Sequence, residues 1–280
     1  MFQRVLIAVD GSECATRAAQ AGIDVAATYG ARVDVVAAVH RELDEAQAET
    51  VLADVESLAA DADVDVETHV ATGHPATVVV SLADDIDADV VVMGRHGHGG
   101  VRERILGSVT DRVLRSTQRH VLTVPVGSSR IGDYENVLLP TDGSEAAAAA
   151  AAPAVDVAEQ YGATLHLLTV VDVRREAGPF SAGGVDQAYV ERLLDRARED
   201  VDELAERCED IASEDLDVER TAAKGTPSKG IAEYVEENDV DFVAIASTGE
   251  SSLTGQLLGS TTDRVLRIID EPVLVVHPQD

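Results

Sequence analysis

The residues best placed to do chemistry lie in GRHGHGGVRERILGSVTDRVL, from Gly94 to Leu114, which follows the apolar run DVVVM. Gly94, Gly97 and Gly107 let main-chain amides approach a ligand without a Cβ in the way. Ser108 then opens a helical pattern, whose first N–H groups lack intrahelical partners and carry positive partial charge. An amide-lined turn beside a helix opening is suited to holding an anion. Between Gly94 and His120, arginines at 95, 102, 104, 112, 115 and 119 face only Glu103 and Asp111. That is a local charge of +4 in a chain of net charge −30. Arg95, Arg102 and Arg104 point to an anionic ligand, whereas Arg112, Arg115 and Arg119 read equally well as a solvated helix face. Ser108-Val-Thr-Asp111 also fits a capping box, and the Ser108 and Thr110 hydroxyls can cap the helix and still donate to a phosphate.

The design recurs in ASTGESSLTGQLLGSTTDRVL, from Ala246 to Leu266. Gly249, Gly259 and Ser260 keep the spacing, Ala246 replaces the first glycine, and Ser260-Thr261-Thr-Asp263 repeats the capping pattern. Here Arg264 and Arg267 face Glu250, Asp263 and Asp270, a local −1. This contrast predicts unequal sites, with the first binding a phosphorylated ligand more tightly.

The elements that must position these loops repeat as well. RVLIAVDGSE (4–13) pairs with NVLLPTDGSE (136–145), and ILGSVTDRVLRSTQRHVLTVPV (105–126) with LLGSTTDRVLRIIDEPVLVVHP (257–278). The chain thus reads as two copies of one domain, 1–127 and 135–280, joined by a polar linker at 128–134. The second is longer around 177–212, a stretch that reads as a flexible loop and a lengthened helix.

Short Val/Ile/Leu runs alternate with helical patterns. Strands are expected near 3–9, 33–39, 64–70, 89–93 and 121–126, with helices near 13–29, 42–60, 75–86 and 109–117. The second copy predicts strands near 136–140, 164–170, 217–222, 240–246 and 273–277. The alanine run 146–152 reads as strong helix former. Thr226-Pro227 marks a helix start, as does Gly73-His74-Pro75. This alternation is α/β: two Rossmann-like doubly wound domains, each a five-stranded parallel sheet flanked by helices. With strand order 3-2-1-4-5, taken from the fold class, ligands bind beyond the strand C-termini where the order reverses. Asp10-Gly-Ser12 and Gly94–Gly97 flank that point.

Other features exclude functions. The charge of −30 repels nucleic acid phosphates and favours a salt-rich, halophilic setting in which self-repulsion is screened. The opening MFQRVLIAVD shows no signal pattern and no apolar run reaches membrane-spanning length, so a cytoplasmic protein is expected. Cys14 and Cys208 read as buried thiols. His96 and His98, two apart with no third ligand nearby, favour phosphate or solvent contact over a metal site. Neither a P-loop nor GxGxxG after the first strand occurs, and KGTPSKG does not satisfy the former.

At these residues the chain resembles the universal stress protein family, specifically its tandem-domain, nucleotide-binding kind. The family's ATP pattern, Gly-two residues-Gly-nine residues-Gly-Ser/Thr, is met in full by Gly94, Gly97, Gly107 and Ser108. The resemblance implies an adenine nucleotide ligand, ATP or another. It places Asp10 and Asp142 by base and ribose, with main chain at Ala8 and Val39, or Pro140 and Val170, bordering the adenine. Arg95 and His96 would wrap ribose and phosphates. Ser108, Val109 and Thr110 would hold the terminal phosphates, with Mg or Mn bound mainly through those phosphates. Ala246 places a methyl toward the ribose of the second pocket. The resemblance further implies association through the fifth strands, HVLTVPV and PVLVV, giving an internal pseudo-dimer and allowing a homodimer between chains. A stress-response regulator is the leading reading. Alternatives are a slow metal-dependent ATPase or autophosphorylating enzyme, and a structural interaction protein of the same fold that binds no nucleotide.

Overall fold

A computed structural model describes residues 1–40, 43–97, 106–128, 130–173, 187–213, 215–249 and 258–278. Strands and helices alternate. β1 (Arg4–Val9), α1 (Glu13–Tyr29), β2 (Arg32–Val39), α2 (Glu45–Asp61), β3 (Val66–Thr72), α3 (Pro75–Asp85), β4 (Val90–Gly94), α4 (Ser108–Ser116) and β5 (His120–Val124) make up the first copy. The second copy has β6 (Asn136–Thr141), α5 (Glu145–Ala148), α6 (Ala151–Tyr161), β7 (Thr164–Val171), α7 (Gln187–Ile211), β8 (Val218–Lys224), α8 (Pro227–Glu237), β9 (Phe242–Ala246), α9 (Ser260–Ile268) and β10 (Val273–Val276).

The chain forms two compact units, Met1–Asp133 with Asp270–Asp280, and Tyr134–Ile269. In the first, parallel strands run β3-β2-β1-β4-β5, the order expected. β10 adds antiparallel to β5, with Leu274 opposite Leu122, so the two edges expected to pair are paired. The second unit runs β8-β7-β6-β9, all parallel. Central strands carry Val, Leu and Ile because both sheet faces are covered by helices. Val5, Leu6, Ile7, Val91 and Val92 have no exposed surface. Few aromatics contribute; Tyr134 packs edge-on to Tyr161, with centroids 4.9 Å apart.

Two local features differ from expectation, the alanine run and the capping boxes. The alanine run is not one helix: α5 ends at Ala148 and α6 resumes at Ala151. The expected lengthened helix is present as α7, 25 residues against 17 in α2, while the loop of 174–186 lies outside the described residues. The capping boxes at Ser108–Asp111 and Ser260–Asp263 do not form. Gly107 and Gly259 are the caps, without side-chain cap bonds, which puts each serine one residue inside its helix. Asp111 and Asp263 instead pair along the helix with Arg115 and Arg267, at 3.0 and 2.9 Å. Among the described residues no helix is long and apolar enough to cross a membrane. Cys14 and Cys208 are buried free thiols.

Candidate functional site

In the first unit β1 and β4 are neighbours, with Ala8 in register with Met93. Their C-terminal ends therefore bring Asp10 and the turn at Gly94–Gly97 together. Ser12 donates from both N and Oγ to Asp10 Oδ1, at 3.0 and 2.6 Å, fixing the carboxylate. A Cβ at Gly97 would stand 2.5 Å from Asp10 Oδ2, so any other residue there would have to displace this carboxylate. The Gly107 N–H donates to Arg95 O at 2.9 Å, and Thr110 Oγ1 donates to Gly94 O at 2.9 Å. These bonds tether the opening of α4 to the end of β4. Ser108, Val109 and Thr110 are left with first-turn N–H groups that the helix itself cannot satisfy.

This geometry corrects three expectations. The Thr110 hydroxyl donates to a buried carbonyl and is not directed at an anion, which leaves its main-chain N–H as the donor at the helix opening. Gly94 is required by packing: a Cβ there would meet Cys14 C at 2.9 Å and Ala15 N at 3.0 Å, because α1 crosses directly over it. Arg95 does not offer its guanidinium to the turn. It is 2% exposed and donates from Nη2 to Glu271 O at 2.8 Å, and burial pulls it down to about 10. The basic island is smaller than its sequence suggests. Arg115 pairs with Asp111, and Arg119 with Asp84 and Asp87. Arg102, Arg104 and His98 lie outside the described residues. Ala8, Val39 and His96 are half-buried, and Val39 O accepts from Gly73 N at 3.1 Å.

The second unit holds a cavity of about 470 Å³, within the size range of small-molecule sites. Pro140, Asp142, Val170, Ala246, Gly249, Gly259, Ser260 and Thr261 all line it, the full candidate set for this copy. The same tethers recur: Gly259 N–H donates to Ser247 O, and Thr262 Oγ1 to Ala246 O at 2.9 Å. Ser144 donates from Oγ to Asp142 Oδ1 at 2.6 Å, and Gly249 lies against the other carboxylate oxygen. Pro140 lines the cavity at the end of β6. Lacking an N–H, it cannot extend the ladder to β9, and the pairs end at Leu138–Val243.

The chain matches the model of the universal stress protein family twice, at residues 1–125 and 133–277. The chain belongs to the universal stress protein family. A universal stress protein of Methanocaldococcus jannaschii is 29% identical over 143 residues, 51% of this chain and 82% of that protein. One from Mycobacterium bovis is 27% identical over 229 residues, 79% of this chain and 72% of its own length. The crystal structure of a universal stress protein from Archaeoglobus fulgidus superposes with a TM-score of 0.71 at 20% identity, over 98% of each chain, which shows a shared fold.

Within this universal stress protein fold, sequence reading missed the wall that α7 supplies. Leu193, Arg196, Ala197 and Asp200 line the second cavity. Their offsets of three, four and seven from Leu193 place them on one helix face, a signal present in the sequence but without a direction until the helix is docked. Burial pushes the Asp200 carboxyl up, Arg196 opposes this, and Glu203, Glu199 and Asp142 add to it. Arg196 is the cation among the residues that line this cavity. A second acidic cluster, Asp34, Glu67 and His69, places its ligand atoms within 4.8 Å of one another. Arg4 occupies both Asp34 oxygens, at 2.8 and 3.1 Å, and His69 Nε2 lies 2.8 Å from Oδ1, so the cluster is built as an ion-pair network.

Proposed function

We propose that this universal stress protein binds an adenine nucleotide, ATP or another, and acts as a cytoplasmic stress-response regulator whose state follows nucleotide occupancy. One observation carries the reading. Eight residues chosen for this role from the second copy, scattered over 122 positions from Pro140 to Thr261, line one cavity. The residues fit such a ligand. Pro140, Val170 and Ile245 provide apolar walls for a base, Asp142 accepts from hydroxyl groups, and the α9 opening offers N–H groups to phosphates. When bound, Mg or Mn would neutralise phosphate charge, and the chain's part is to hold the phosphates at Ser260 and Thr261.

The first copy offers the same arrangement at Ser108–Thr110, so both copies are proposed as sites. The preference for the first weakens with Arg95 turned away. Isothermal titration with ATP and MgCl2 in molar KCl, with amide shifts followed at Gly97, Ser108, Gly249 and Ser260, tests this. Heat with shifts at either pair supports nucleotide binding; neither heat nor shifts refutes it. Gly107→Val and Gly259→Val, each placing a bulky side chain against loop backbone, assign the heat to one copy.

A further inference from the structure

The second cavity has two chemically opposite regions. Carboxylates gather at the β6–α5 turn, and helix-opening amides at Ser260 and Thr261. Asp142 belongs to the turn itself. Asp200 arrives from α7: a Cβ at Gly143 would stand 2.8 Å from its Oδ2, and Gly143 keeps φ at +77° where side chains are disfavoured. Asp200 is thus seated on the backbone of the turn beside Asp142. Arg196, one helical turn earlier, lines the same cavity and makes no hydrogen bond or ion pair among the described residues. Ionised carboxylates only accept hydrogen bonds, and they repel phosphate. A nucleotide lodged here presents phosphates to the amides and its hydroxyl donors to the acids. A nucleotide offers donors from its sugar hydroxyls and from the adenine 6-amino group; with the base against the apolar walls of Pro140, Val170 and Ile245, the sugar hydroxyls are the donors left for the acids.

We propose that Asp200 is a specificity-determining residue of the second cavity, accepting from the ribose 2′-hydroxyl beside Asp142 and so selecting ribonucleotides over 2′-deoxyribonucleotides. This rests on the nucleotide reading given above and extends it to a residue outside the glycine pattern. Leu193, Arg196 and Ala197 complete the wall, making α7 the element that distinguishes the second site from the first.

The test titrates the full chain in molar KCl and MgCl2 with ATP and with 2′-deoxy-ATP, reading amide shifts at Gly249 and Ser260. The native chain should prefer ATP by about tenfold, the worth of one hydrogen bond to a charged group. Asp200→Ala and Asp200→Asn should both weaken ATP. The alanine variant should bring the two ligands within about twofold, while 2′-deoxy-ATP binds as before or better once a repelling charge is gone. Equal losses for both ligands, or an unchanged ratio in the alanine variant, would overturn the role of Asp200 and leave the nucleotide reading standing. If neither ligand moved these amides in the native chain, the second cavity would hold no nucleotide and the proposal would fall, with the nucleotide reading left to the first copy. The asparagine variant preserves shape, so a defect confined to alanine with equal losses would mark Asp200 as a packing residue and overturn the proposal.

Discussion

The two copies carry one glycine spacing and answer it differently at a single position. Gly94 lets α1 cross over the end of β4, and that helix runs unbroken from Glu13 to Tyr29. In the second copy Ala246 stands there, and the matching helix is divided into α5 and α6. The copies differ again where β1 and β6 end. The β1 ladder to β4 extends to Ala8–Met93, whereas Pro140 stops the β6 ladder at Leu138–Val243. The copy with the incomplete motif thus has a shorter ladder at the end of β6, a divided helix and a cavity walled by α7. A motif reports the backbone path of a loop; the volume beside it depends on neighbours that the motif does not contain.

The buried charges separate the copies too. β2 carries Asp34, held by Arg4 and His69. Burial pushes this carboxyl up, and those two hydrogen bonds outweigh it, keeping it below the usual carboxylate range. At the matching place β7 carries His166, bonded to Tyr234 and Asn136 at 3.0 and 3.1 Å, and pushed down by burial.

Acid should give the largest effect, in the first unit. His120 and His277 are buried in contact, with His277 N donating to His120 Nδ1 at 3.3 Å, and burial holds both at about 4. The unfolded chain takes up these protons near 6.5, so between the two values it binds more protons than the folded chain. Stability is therefore full above about 6.5 and falls as pH drops toward 4, by about 3 kcal/mol per histidine. Denaturant melts across that window should show the loss, and His120→Gln should reduce it by about half.

Removing the Arg4 guanidinium sharpens the contrast between the sheets. Arg4→Met leaves Asp34 buried with only His69, and should cost about 3 kcal/mol. Asn136→Ala, which removes one neutral partner of His166, should cost about 1 kcal/mol in the same urea melts. A smaller effect follows at the glycine position. Gly94→Ala forces α1 away and should cost about 2 kcal/mol, while Ala246→Gly should change stability by less than about 1 kcal/mol. Equal costs would show that the divided helix does not accommodate the Ala246 methyl. The mildest change is Pro140→Ala. It restores an N–H that can lengthen the ladder to β9, and ATP affinity at the second cavity, read from the Gly249 amide, should fall about threefold.

The sequence by itself determined the repeat, the strand and helix alternation, and the loops that face the switch point. All three follow from apolar periodicity and glycine spacing, which are local. Glycine spacing singled out Ala246, Gly249, Gly259 and Ser260, and the family resemblance added Pro140, Asp142 and Val170, which sit at or just past strand ends. Only the tertiary structure decided where long side chains go and which elements close a site. Arg95 counted as a loop cation in sequence, yet packing sends its guanidinium to Glu271, 176 residues away. Asp200 looked like one more acid on a charged helix until docking seated it on Gly143. Such outcomes depend on contacts between distant segments, and no window of neighbouring residues contains them.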